Sequence, residues 1–117
     1  MKTFPDHDGL LIDADALCTE LRRRGDDWAD KDAAFRALED VQKSIFSQAI
    51  LATDARAPVT IREAQARASE LYMGHLRAMD EARQAANRSR VAYDVYRINV
   101  DLKRTNASAQ RTLAGIL

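Results

Sequence analysis

Cysteine occurs once in this chain, at Cys18, so no disulfide can form within it and a reducing compartment is the natural setting. In an amphipathic pattern such a thiol reads as small apolar filler. Two prolines and four glycines leave few turn signals in 117 residues. The apolar–polar alternation that marks strands is almost absent. No apolar run approaches the roughly 20 residues that a membrane helix needs, and no basic segment followed by an apolar stretch opens the chain. A soluble, cytoplasmic protein is therefore expected. Sequence patterns for chemistry are missing too: there is no phosphate-binding glycine loop, no GxGxxG, no HExxH, no CxxC and no Ser/His/Asp set in a supporting context. A diiron bundle would need Glu together with Glu-x-x-His pairs on facing helices, and these are also lacking. His75, among Leu71, Tyr72 and Met79, reads as a packed or surface histidine. Asp6, His7 and Asp8 could ligate a metal only with further ligands, so a solvated tail is expected there. The sequence thus assigns no catalytic residue, no metal and no cofactor, and enzyme activity is not expected.

What is present is charge, at 31%, with plentiful alanine and only 6% aromatic residues, the balance of long amphipathic helices. Net charge is zero, but residues 1–56 carry 8 Lys/Arg against 12 Asp/Glu and residues 57–117 carry 10 against 6. An acidic first half beside a basic second half would satisfy much of this charge internally. The length suits one domain.

Residues 1–12 hold Pro5 and Gly9 among acidic residues and read as an irregular arm; residues 13–117 form the helical body. Asp13 or Asp15 can cap a first helix of about 14–54. Its positions Leu17, Leu21, Arg24, Trp28, Lys31, Phe35, Leu38, Gln42, Ile45, Ala49 and Ala52 alternate steps of four and three without a break. The pattern passes through Gly25, where one interior glycine costs about 1 kcal/mol, so a single helix loosened there is expected. Arg22, Arg23 and Arg24, close to Asp26, Asp27, Asp30 and Asp32, read as a solvated charge run. Ala57 and Pro58 stop the helix, because proline disfavours helical geometry in the residue before it. Thr60 and Glu63 have the spacing of a capping box for a second helix of about 61–115, with a bend or break near Ser69 or Gly74. A short turn between long helices makes them antiparallel neighbours, so the fold class is all-α, a two-helix hairpin.

From Asp80 the chain divides into five sevens, DEARQAA, NRSRVAY, DVYRINV, DLKRTNA and SAQRTLA, with arginine fourth in each. A heptad exceeds two helical turns by only about 20°, so Arg83, Arg90, Arg97, Arg104 and Arg111 form one stripe. Asp80, Asp94 and Asp101 lie beside it at spacings that allow ion pairs. Apolar residues fall on two sides about half a turn apart: Val91, Val95, Ile98 and Leu102 on one, Ala86, Tyr93, Val100 and Ala107 on the other. A hairpin buries one side only. The expectation is that the second set, Ala86, Tyr93, Val100 and Ala107, meets a second copy in a four-helix, coiled-coil-like homodimer. Arg83, Arg90, Arg97, Lys103, Arg104 and Arg111 then border the seam or bind a partner.

The stretches GDDWADKDAAFRALEDVQKSI, EAQARASELYMGHL, ARQAANRSRVAYD and LKRTNASAQR together resemble a family of small, all-helical proteins encoded by phages and prophages, over roughly residues 20–114. The first twelve residues and Gly74 are not part of that resemblance. It implies a bacterial cytoplasmic setting and an accessory role among genes of phage recombination and replication, and it brings no catalytic residues. The functional expectation is a non-enzymatic dimer that binds another protein, as an adaptor or inhibitor in DNA metabolism or host defence, with no membrane partner. One alternative is a nucleic-acid-binding accessory using the arginine face. A structural phage component is the other.

Overall fold

Asp13 starts the first long helix: its Oδ1 accepts a hydrogen bond from the Ala16 amide at 3.0 Å, satisfying one of the donors that a helix start leaves open. The computed structural model describes residues 3–5 and 11–116. In chain order the elements are β1 (Thr3–Pro5), β2 (Leu11–Asp13), α1 (Ala14–Asp40), α2 (Gln42–Leu51), α3 (Val59–Ala68) and α4 (Glu70–Ile116). The fold is all-α apart from β1 and β2, which pair antiparallel with Phe4 opposite Ile12 where an irregular arm was expected. Asp6, His7 and Asp8 lie outside the described residues.

Two helical arms make the hairpin, and neither arm breaks at a glycine. Gly25 and Gly74 are both helical; the interruptions come at Val41 and Ser69. Ser69 is extended, with φ −69° and ψ 149°. Its hydroxyl donates to the Ala66 carbonyl at 2.6 Å and accepts from the Tyr72 amide at 3.3 Å. One side chain thereby closes α3 and caps α4, the competition with helical bonding that serine's short hydroxyl allows.

The capping box does not form. The helix begins two residues earlier than that pattern requires, with Pro58 as N-cap and no side-chain cap bond. The fixed φ of Pro58 and its carbonyl, which accepts from the Arg62 amide at 3.0 Å, start the turn before Thr60 is reached. Glu63 instead lies 3.8 Å from Arg67 one turn on.

Residues divide into two compact units, one of residues 1–28 with 88–117 and the other of residues 29–87. In the second unit, Leu38 meets His75, Gln42 meets Tyr72, and Thr53 meets Arg62: residue numbers rise on one arm as they fall on the other, the mark of antiparallel packing. His75 Nε2 donates to the Leu38 carbonyl at 2.8 Å, taking up one of the acceptors exposed at the end of α1. It is a packed histidine. At the tip, Arg62 donates to Thr53 Oγ1 at 2.9 Å and to the Ile50 carbonyl at 3.2 Å, locking the end of α2 to the start of α3. Phe46 packs on Tyr72 with ring centroids 5.2 Å apart, and Arg67 lies 5.3 Å from the Phe46 centroid.

Candidate interaction surface

The side of α4 that turns inward is set by a heptad of small and aromatic residues. In the unit of residues 29–87, Tyr72, His75, Met79 and Ala82 are half-buried and Ala86 is buried. In the other unit, Ser89, Val100 and Ala107 are buried and Tyr93, Tyr96 and Gln110 half-buried. On the first arm, every member of the predicted 4-3 series except Lys31 and Ala52 is at least half-buried.

Ala86, Tyr93, Val100 and Ala107 are therefore not the free face proposed from the sequence. Ala86 keeps 5% of its surface, Val100 7% and Ala107 none. The aliphatic stripe is the exposed one: Val91, Val95, Ile98 and Leu102 each keep more than half of theirs. The reason is continuity. The small-and-aromatic heptad runs through nearly all of α4, matching the long 4-3 series of the first arm, whereas the aliphatic stripe spans only residues 91–102. Small residues also let backbones approach closely, and Gly25 illustrates this: a Cβ built there would lie 3.4 Å from Tyr93 Cε2.

Around that approach, the unit of residues 1–28 and 88–117 assembles its polar and aromatic contacts. Trp28 packs on Tyr93 with centroids 5.7 Å apart and planes tilted by 37°. Ser89 Oγ donates to Asp27 Oδ2 at 2.9 Å. Arg24, a polar member of the predicted core series, lies over the Tyr96 ring at 4.9 Å from its centroid, a favourable use of the negative ring face. Its Nε donates to Glu20 at 2.9 Å, and Arg23 donates to both Glu20 oxygens at 2.9 and 2.7 Å. The charge run is thus partly ordered, whereas Cys18, expected to be filler, is exposed.

Because 3.4 Å is ordinary van der Waals contact, the close approach at Gly25 admits one methyl group. Gly25→Ala should stabilise the protein by up to about 1 kcal/mol through helix propensity. Gly25→Val should destabilise it by driving a branched side chain into Tyr93; urea denaturation of the two variants measures both changes.

Glu20 also predicts a pH dependence. Hydrogen bonding from Arg23, reinforced by Arg24, lowers its pKa from 4.5 to about 2. A carboxylate lowered by folding adds stability that is complete above its unfolded value and lost as pH falls through the folded one. The urea midpoint should therefore decline as pH drops from about 4.5 to about 2. Glu20→Gln should flatten that part of the profile.

The arginine stripe sits beside the inward heptad on the outer surface. Arg83 pairs with Asp80, and Arg97 lies 3.8 Å from Asp94 and 5.9 Å from the Tyr93 centroid. Arg90, Lys103, Arg104 and Arg111 are exposed. A groove on the outside of α4 is lined by Arg104, Thr105, Ser108, Ala109, Arg111 and Thr112. Among the described residues no three His, Cys, Asp or Glu side chains group to hold a metal, and no helix is long and apolar enough to cross a membrane. No protein-family model, curated protein or solved structure matches the chain.

Proposed function

We propose that this chain is a non-enzymatic accessory protein of the phage type that works as a homodimer and binds another protein, as an adaptor or inhibitor. The observation that carries the reading is an incomplete core. Among the described residues no large side chain is fully buried; the buried residues are Ala49, Ala66, Ala86, Val100, Ala107 and Ser89. The chain exposes 8455 Å² at 13.1 kDa, against about 6,400 Å² for a compact folded chain of that mass. The excess, about 2,000 Å², is larger than the about 800 Å² that a standard interface takes from each partner and falls in the range of obligate homodimers. Val91, Val95, Ile98 and Leu102 offer a contiguous outward stripe for it. The accessory setting itself rests on the family resemblance.

Light scattering on the purified full-length protein tests the dimer. It should give twice the chain mass, and a single-chain mass at all concentrations would refute it. Affinity capture from a bacterial host, with Ile98→Asp as control bait, then tests for a protein partner.

A second reading, nucleic-acid binding, is favoured by one observation: Arg90, Lys103 and Arg104 are exposed on a segment, residues 83–111, with seven basic and two acidic residues. Binding through phosphates would weaken steeply with salt. No detectable binding to single- or double-stranded DNA or RNA at about 50 mM salt would end it.

A further inference from the structure

Resting on the dimer reading above, we infer that two copies pair α4 against α4 in parallel and in register, along the face of Val91, Val95, Ile98 and Leu102. These four are stepped 4-3-4, the spacing of a coiled-coil seam. On the same face, the series continues towards the C-terminus through Thr105, Ala109 and Thr112, all exposed, and towards the N-terminus through Arg88, Gln84 and Glu81, also exposed. The apolar and methyl-bearing positions thus lie on one side of a boundary at residue 91.

Orientation follows from what flanks the stripe. One flank carries Asp94 and Asp101, with the row of Arg90, Arg97 and Arg104 beyond them. The other carries Ala92, Asn99 and Asn106. The aspartate and arginine rows each repeat one residue type at heptad spacing, so an antiparallel pair centred on the stripe confronts like with like. Asp94 would face Asp101 of the second copy, Arg97 its own counterpart, and Arg90 the second Arg104. Arg88, Gln84 and Glu81 would also cover Thr105, Ala109 and Thr112. A parallel pair removes these conflicts. The flank of one helix then meets the opposite flank of the other, placing Asp94 by Asn99 and Asp101 by Asn106, where each carboxylate can accept from a carboxamide. Thr105, Ala109 and Thr112 meet their own counterparts and lengthen the seam from four layers to seven. The like-charge meetings that remain are Arg88 with Arg88 and Glu81 with Glu81, both on the N-terminal side of the apolar seam, where long side chains can turn their charged heads to water.

Cysteine placement in the full chain decides between the two. In a Cys18→Ser background, Ile98→Cys should form an inter-chain disulfide under mild oxidation, moving the denatured band from one to two chain masses. A mixture of tagged Val91→Cys and untagged Leu102→Cys chains should give no excess of the mixed disulfide over the two self-pairs. Predominance of the mixed product, with Ile98→Cys failing to cross-link, would overturn the parallel arrangement while a two-chain mass by light scattering leaves the dimer intact. A single-chain mass for the cysteine-free protein, folded by circular dichroism, would refute the dimer and this pairing with it. Disulfide formation only at Cys18 in the natural chain, with neither engineered pair reacting, would place the contact elsewhere and also overturn it.

Discussion

Replacing Val100 by aspartate should unfold the unit built from residues 1–28 and 88–117, whereas the same change at Ile98, two positions away, should leave it folded. Val100 keeps 7% of its surface and Ile98 keeps 51%. A carboxylate at the first site loses water without gaining a partner, a cost of several kcal/mol, in a domain whose whole stability is on the order of 5–15 kcal/mol. Loss of at least about 3 kcal/mol in urea denaturation is expected for Val100→Asp. For Ile98→Asp the folded monomer should change by less than about 0.5 kcal/mol, while its solution mass falls to one chain. If both variants unfold, or if Val100→Asp is tolerated, the face of α4 that carries Val100 is not the inward one.

Trp28→Ala carries the next largest effect. The indole packs on Tyr93 at 5.7 Å, beside the backbone of Gly25, which itself leaves room for only a methyl group against that tyrosine. Trp28 is half-buried, so the loss should fall below the 3–5 kcal/mol of a fully buried tryptophan, at about 2–3 kcal/mol. Part of that is the aromatic pairing itself, worth about 0.5–1.5 kcal/mol beyond burial. Near-ultraviolet circular dichroism should lose its tryptophan signal and the urea midpoint should fall. Tyr93→Leu should recover some of the burial without the ring geometry, so a midpoint equal to that of the natural protein would show that stacking contributes nothing.

The first arm was legible because its 4-3 series is dense and unbroken. Leu17, Leu21, Trp28, Phe35, Leu38 and Ile45 leave no rival face, and they are the residues that turn inward. α4 offered two faces, of which a hairpin buries one, and the expectation left Ala86, Tyr93, Val100 and Ala107 for a second copy and so Val91, Val95, Ile98 and Leu102 for the hairpin. Packing follows shape and continuity instead: Ala86, Ser89 and Ala107 bury little apolar surface each, but they let the arms come together over a longer run. Gly25 looked like a weak point by propensity, and it is a contact point because no side chain holds Tyr93 away. At Ser69 the sequence placed the break without its mechanism, since a serine three residues before Tyr72 does not announce that its hydroxyl will cap two helices. Thr60 and Glu63 had the right spacing in the wrong place, because Pro58 starts the helix first. Arg62 gave no signal at all: an arginine in a helical stretch is unremarkable until the turn brings Ile50 and Thr53 beneath it.

A hairpin whose buried residues are mostly alanine has a characteristic response to temperature. The heat-capacity increase on unfolding comes from newly hydrated apolar area and is typically about 12–15 cal/mol/K per residue in globular domains. With no large side chain completely buried among the described residues, a single copy should fall below that range and show a shallow denaturant slope as well. Its stability curve should be flat, changing little between cold and warm, and its melting should be broad. Association through the outward stripe would add hydrophobic area and sharpen the transition, so calorimetry over a range of protein concentrations would record the second copy as added curvature.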